Sequence, residues 1–395
     1  MKYPPHPSLR YCDLRVANAS NRWSALPGCG ELAYFFDARS ALHHVFVHLR
    51  RQGRTRVLLP AFHCISMVEP AVHAGLEITY YHVDRHLRTS FDELLTLATQ
   101  DVAAVVFVNY FGFPTAFECA VPELDRRGIR TIEDCSHSFL DPGRFALTGG
   151  RADFSVYSLG KVVACGTGGG LRQRPRLLAP AALAKSSLLD SMVRSKRLLE
   201  QVVLSADDET LVKRAYLALE SFRLRLRGQA RALPSDDPGY AAAASNPALG
   251  FDEKRARTRI PRLSKLLLQV ADLRAIAARR RQNYQIYSDV LASMAAPPSV
   301  LPSLIDYVCP WAYPVLLADR ARHDVALRAQ GVPVWTFGDQ LHPSLAGRAS
   351  PRALEDAQFL AAHLLCLPTH QGLPPEAVSE FADIVKRASL PPPPQ

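Results

Sequence analysis

No stretch of this 395-residue chain is apolar for long enough to cross a bilayer, which takes about 20 consecutive apolar residues. From Met1 to Arg10 the chain is proline-rich and polar, with no apolar centre behind Lys2 to act as a secretory signal. A cytoplasmic location is therefore expected. The cysteines (Cys12, Cys29, Cys64, Cys119, Cys135, Cys165, Cys309 and Cys366) include no Cys-x-x-Cys pair. That spacing speaks against a zinc site or a disulfide frame and for free, mostly buried thiols in a reducing compartment. The net charge of +10 comes without the motif or the aromatic interleaving of a nucleic-acid binder, so no nucleic-acid partner is expected. An anionic small molecule or an acidic membrane surface suits that charge better, and a compositional habit of the source is the reading placed above both.

What the chain does have is alternation. From Phe35 to Leu171, short apolar runs alternate with amphipathic segments. The pattern predicts helices over Ser40–Arg50, Ile65–His73, Phe91–Ala98 and Val121–Arg127. It predicts strands over Val57–Leu59, Ile78–Val83, Ala103–Val108 and Phe154–Leu159, with another around Ile129–Ile132. Such alternation implies an α/β fold with a mostly parallel sheet, whose ligands gather at the carboxyl ends of the strands. Two residues that carry chemistry fall at such ends. Asp134 lies in Glu133-Asp134-Cys135-Ser136-His137. Lys161 closes Tyr157-Ser158-Leu159-Gly160-Lys161, just before the glycines of 166–170. A lysine between a buried strand and a glycine-rich turn is an unusual place for a solvated residue. An acid and a lysine at successive strand ends are what a pyridoxal-phosphate enzyme requires: the lysine holds the cofactor as an imine, and the acid keeps the ring nitrogen protonated. Glu133 is the competing acid, and on a strand the two neighbours face opposite sides.

Several motifs in order extend this reading: Leu58-Leu59-Pro60-Ala61-Phe62, Val106 to Pro114, Ile132 to His137, Ser158 to Lys161 with the glycine cluster, and Cys366-Leu367-Pro368-Thr369-His370-Gln371-Gly372-Leu373. Together they resemble the DegT/DnrJ-type aminotransferases, whose best-known members aminate nucleotide-linked keto-sugars. The resemblance implies a fold type I architecture: a three-layer large domain, expected over 1–260, and a smaller C-terminal α+β domain over 261–395. It implies pyridoxal 5'-phosphate as cofactor, an amino-acid donor such as glutamate, a keto-sugar acceptor and a homodimer with shared active sites.

Residue by residue, the resemblance makes Lys161 the attachment point and proton carrier and Asp134 the partner of the ring nitrogen. His137 falls near the cofactor's phenolic oxygen. Ala38, Arg39 and Ser40 fall at the phosphate-binding helix start, where Ser40 also reads as an ordinary N-cap and Arg39 replaces the usual Gly or Thr. Ser158 is the second hydroxyl. His63, chosen from Phe62, His63 and Cys64, is expected over the ring face. The family's Gly-x-Asn-x-Arg run has no counterpart in Arg259 to Ser264, where Asn is absent and Arg262 or Ser264 would substitute.

Between Arg172 and Arg259 the resemblance is weakest, and 172–256 reads as a helical and loop excursion. Helices are expected over Leu177–Leu189, Met192–Leu204 and Thr210–Leu226, then a loop from Leu233 to Pro247. Covering the surface, capping the substrate mouth or offering a basic face to a partner are its possible uses. Beyond it, one long helical pattern spans Leu263–Leu291. Strands over Tyr307–Leu317 and Val332–Phe337 and helices over Arg320–Gln330, Ser350–Leu364 and Pro375–Ala388 follow, with a proline-rich tail from Leu390. The rival functions are another pyridoxal-phosphate reaction, such as elimination or dehydration, and a non-catalytic sensor or scaffold. Lys161 argues against the sugar dehydratases that carry histidine there.

Overall fold

The computed structural model describes residues 3–10, 13, 15–175, 177–179, 181–186, 196, 198–203, 251–294 and 299–388. Its first part alternates strand and helix: β1 (Ala33–Phe35), α1 (Ala38–Arg51), β2 (Arg56–Pro60), α2 (Ile65–His73), β3 (Glu77–Tyr81), α3 (Phe91–Leu97), β4 (Val102–Val108), α4 (Val121–Arg126) and β5 (Arg130–Asp134). After a small hairpin of β6 (Leu140–Asp141) and β7 (Ala146–Leu147) come β8 (Phe154–Ser158) and β9 (Gly169–Gln173). Seven of these strands form one sheet in the order β1-β9-β8-β5-β4-β2-β3. The five from β3 to β8 run parallel, and β9 runs against both β8 and β1.

The local reasons are legible. β4 is apolar and buried at every position, as a central parallel strand covered on both faces must be. Helix α1 starts at Asp37, whose side chain accepts from the Ser40 amide, and it turns Ala41, Leu42, Val45, Phe46 and Leu49 into the core. The chain moves from β2 outward to β3, then returns past β2 to β4. That reversal opens the carboxyl ends of β2, β4, β5 and β8 onto one edge, where ligand sites of open parallel sheets form.

The second part contains α5 (Glu253–Ala256), α6 (Arg262–Val270), α7 (Leu273–Ala292), β10 (Ala312–Leu316), α8 (Arg320–Ala329), α9 (Pro351–His363), β11 (Leu364–Pro368) and α10 (Pro375–Arg387). Strands β10 and β11 pair antiparallel, and Tyr284, Tyr287, Tyr313 and Phe381 share one apolar cluster with both strands. Trp311, Trp335, Phe337 and Cys366 instead join the cluster around the large sheet. The two parts therefore touch along the carboxyl edge.

Three expectations are corrected. The long pattern over Leu263–Leu291 is two helices, because Asp272 caps a new start by accepting from the Ala275 amide. Val332–Phe337 forms no strand; it makes a single bridge, Trp335 to Cys366. Of the predicted helix Leu177–Leu189, the described residues up to Ser186 are not helical, and Ala184 bridges Thr258 instead. Pro175 and Pro180 explain this, since each lacks an amide donor and disfavours helix in the residue before it. Of the helix expected over Met192–Leu204, the described residues 196 and 198–203 are helical; the one expected over Thr210–Leu226 falls wholly outside the described residues. The loop from Leu233 and the tail from Leu390 fall wholly outside them.

Gly169 shows how closely the sheet edge meets α1: a Cβ there would lie 2.1 Å from the Asp37 carbonyl oxygen. Gly169→Ala is expected to cost about 2 kcal/mol or more, since backbone on both sides must shift. Urea denaturation of the purified variant checks this; an unchanged midpoint would contradict the close approach.

Candidate active site

Asp134 is the last residue of β5 and only 7% exposed. Its Oδ1 accepts from the Ser136 amide at 2.8 Å. Glu133 faces the other way, fully buried, and its Oε1 accepts from Asn109 Nδ2 (2.9 Å) and from Arg151 Nε (3.1 Å). Strand alternation thus gives the two acids separate partners, and only Glu133 has a guanidinium bonded to it. Burial pushes the Asp134 carboxyl above the usual carboxylate range, opposed by the Ser136 hydrogen bonds and the Lys161 ammonium.

Lys161 ends the single turn Leu159–Lys161 that follows β8. Its Nζ lies 4.9 Å from the centre of the Trp311 ring. The ring of His137 stacks on Trp311 with centres 4.0 Å apart. His137 is buried, and its Nδ1 accepts from the Phe111 amide at 3.3 Å. Burial, then the Lys161 charge, holds its pKa well below the histidine range. A neutral ring with an accepting Nδ1 carries its proton on Nε2. Lys161, Asp134 and His137 are therefore brought together.

The phosphate-side candidates lie at one end of the sheet. Ser158 is half-buried and pairs with Gly169 across β8 and β9, and Gly169 presses on the start of α1. There the Asp37 carboxylate already caps the helix. Its Oδ1 accepts from the Ser40 amide (2.9 Å) and the Ser40 hydroxyl (2.7 Å), and its Oδ2 from Arg39 (3.4 Å). Ala38 opens the helix. His63 is held by partners of its own. Its ring stacks on Tyr80, Nδ1 bonds the Ala61 carbonyl (2.9 Å) and Nε2 accepts from the His342 amide (3.1 Å). Of the two residues considered for the missing Asn, Arg262 is exposed on the first turn of α6 and Ser264 is buried.

Residues unmarked by any sequence motif complete the surroundings. His6 lies edge-on to Trp335 at 4.7 Å and parallel to Trp311 at 6.2 Å, and its pKa is lowered to about 3 by burial, then by Lys161 and Arg280. Its segment is tied down where Pro4 O bonds His370 Nε2 and Gly372 O accepts from Arg10 Nη1. The buried indole N–H of Trp335 has no acceptor among the described residues. Proline-rich surroundings hid His6, and Trp311 and Trp335 had no marked neighbour; the rarity of tryptophan in this chain was the one signal.

Residues 35–184 match the DegT/DnrJ/EryC1/StrS aminotransferase family model. That matched stretch is similar to the family over less than half of the chain. The whole fold agrees with it. The sugar aminotransferase CalS13 from Micromonospora echinospora superposes with a TM-score of 0.63 at 17% identity, over 98% of this chain and 100% of that one. An aminotransferase from Psychrobacter cryohalolentis gives 0.65 at 14% identity over 98% of each chain. Helicobacter pylori PseC, an aminotransferase involved in the biosynthesis of pseudoaminic acid, gives 0.62 at 15% over 98% of each. The family is one of pyridoxal-phosphate-dependent aminotransferases of fold type I.

The ring end of the site fits that cofactor: a buried carboxyl, a lysine and a neutral histidine stand together, with an indole donor lacking its acceptor nearby. The phosphate end departs from it, because a carboxylate occupies the start of α1, where an anion would otherwise meet helix amides.

Three buried histidines, His63 (pKa lowered to about 4), His370 (lowered to about 3) and His137, stay neutral in the fold. On unfolding each regains an ordinary pKa near 6.5 and takes up a proton below it. The unfolded state then binds more protons, so stability falls as pH drops through 6.5, on the order of one kcal/mol per histidine per pH unit. Urea midpoints taken between pH 7 and pH 5 are expected to fall steadily. A flat profile there would contradict the buried neutral rings.

Proposed function

We propose that this chain is a cytoplasmic, homodimeric aminotransferase that moves an amino group from an amino-acid donor, glutamate foremost, to a keto-sugar linked to a nucleotide. The observation that carries it is the convergence of Lys161, Asp134 and His137 around Trp311 at the carboxyl edge of the sheet. Sugar acceptors are suggested by the family and by similar solved structures, among them a sugar aminotransferase and one involved in pseudoaminic acid biosynthesis, which is analogy. On the same basis, the chain divides into a large cofactor-binding domain over 1–260 and a smaller one over 261–395.

Bound pyridoxal 5'-phosphate would supply an electron sink for the carbanion left when a proton leaves the amino-bearing carbon. The protein's own groups do the rest. Lys161 Nζ would be the attachment point and, as a free amine, the group that moves the proton. Asp134 would keep a proton on the ring nitrogen, and that cation would neutralise its buried carboxylate. His137 would offer its Nε2 proton to the ring's oxygen. Ser158 and the first turn of α1, through Ala38, Arg39 and Ser40, would hold the phosphate, with Arg39 offsetting Asp37. The wall of Trp311, Trp335 and Phe337 keeps water from the reacting atoms.

Purified protein is expected to show a visible cofactor band that L-glutamate bleaches, and Lys161→Ala should lack the normal band. A band indifferent to amino donors would favour elimination or a sensor; no cofactor uptake after reconstitution would sink the proposal. Asp37→Ser should tighten cofactor binding by removing a like charge from beside the phosphate, by roughly 1 kcal/mol, the scale of helix-terminus charge effects. Titration of the cofactor-free protein measures it, and weaker binding by the variant would show that the Asp37 cap is needed.

A further inference from the structure

Three consecutive arginines lie on α7, Arg279, Arg280 and Arg281, and the middle one is fully buried. Among the described residues no carboxylate lies within ion-pair distance of it. Burial lowers its pKa to about 10. The tempting use of such a cation is to bind the carboxylate of an amino-acid donor. Its geometry denies that use, because all of its donors are engaged. Nε donates to Gln371 Oε1 at 3.1 Å. Nη1 donates to the carbonyls of Pro310 (3.3 Å) and Trp311 (3.4 Å), and Nη2 to those of Lys161 (3.1 Å) and Val162 (3.3 Å). Gln371 closes the figure by donating from Nε2 to the Val162 carbonyl at 2.9 Å.

We infer that Arg280, backed by Gln371, is a positioning residue for the lysine of this reaction: it fixes the Lys161 turn against Trp311, and so fixes where the Lys161 amine reaches. The planar fork is what the task needs. Its two ends grip the two segments that carry Lys161 and Trp311, which come from chain regions about 150 residues apart. A lysine at 280 would keep the charge but offer its donors from a single point, and could not span both. A guanidinium seated among carbonyls without a counter-ion costs desolvation, and an apolar residue would fill the space more cheaply. Its presence is accounted for by the placement it enforces.

This inference rests on the function proposed above, and the experiment separates the two. Pyridoxal 5'-phosphate is added to the cofactor-free protein, trapped with borohydride at timed intervals, and its adduct at Lys161 is counted by peptide mass spectrometry. Wild type, Arg280→Lys and Gln371→Ala are compared, with thermal melting and far-ultraviolet circular dichroism recording the fold. Wild type is expected to trap at Lys161. Arg280→Lys should trap at least about tenfold more slowly, on the scale that ångström-sized misplacement costs. Gln371→Ala should trap several-fold more slowly, and both should keep the native spectrum. In the variants that bind cofactor, the visible circular dichroism per bound cofactor should fall, which a merely structural role would not produce. No trapping in wild type overturns the proposed function and this inference with it. Trapping in wild type with equal rates in folded variants overturns the inference alone. If Arg280→Lys does not fold, Gln371→Ala decides by the same criteria.

Discussion

A carboxylate at a buried strand end, answered by a cation that is close but not bonded to it, is the constraint on which the site depends. Asp134 is nearly as buried as Glu133, yet Glu133 has Arg151 and Asn109 bonded to one of its oxygens while Asp134 has the Ser136 hydrogen bonds and the field of Lys161. A carboxyl left in that position stores a demand for a positive charge. The sheet topology is what creates it. β5 lies between β4 and β8, so its last residue opens on the edge where the next strand delivers a lysine.

Around that pair the protein assembles an aromatic wall rather than a polar pocket. Trp311 is its centre, stacked on His137, beneath the Lys161 amine and edge-on to Trp335 and Phe337. The wall comes from the second part of the chain and the amine from the first. Their alignment runs through main-chain carbonyls bonded to one buried guanidinium, while Asn283, one turn along α7, bonds the carbonyls of Thr369, His370 and Leu373. The closing segment of 369–373 is thus held from one face of α7, and through Gln371 it holds the lysine turn in return.

The alternating half of the fold was readable because its signals are local. The apolar run of β4 and the glycine stop after α4 each act within a few residues. Lys161 and Asp134 stood out because charges at the ends of apolar runs contradict their surroundings. Pro175 and Pro180 are equally local signals, set against a leucine and alanine spacing that fits a helix. Asp272 as a cap inside a long helical pattern was a local signal of the same kind. Other features could not be read. Arg280 is one of three adjacent arginines, and only packing against 310–311 and 161–162 decides which one is inside. His63 sat at a plausible place after β2, but the direction of its ring is set by Tyr80 and His342, the latter 279 residues away. His6 owes its place to contacts with the far end of the chain.

Gln371 has a temporal consequence. The lysine turn is synthesised some two hundred residues before the amide that braces it, and Arg280 falls in between. A nascent chain therefore contains Lys161 long before the brace exists. Until translation passes Gln371, that amine has its acid but not its fixed bearing toward the indole wall. The order of synthesis makes the closing segment the last part to act on the site, so the fully braced arrangement is a property only of chains translated through it.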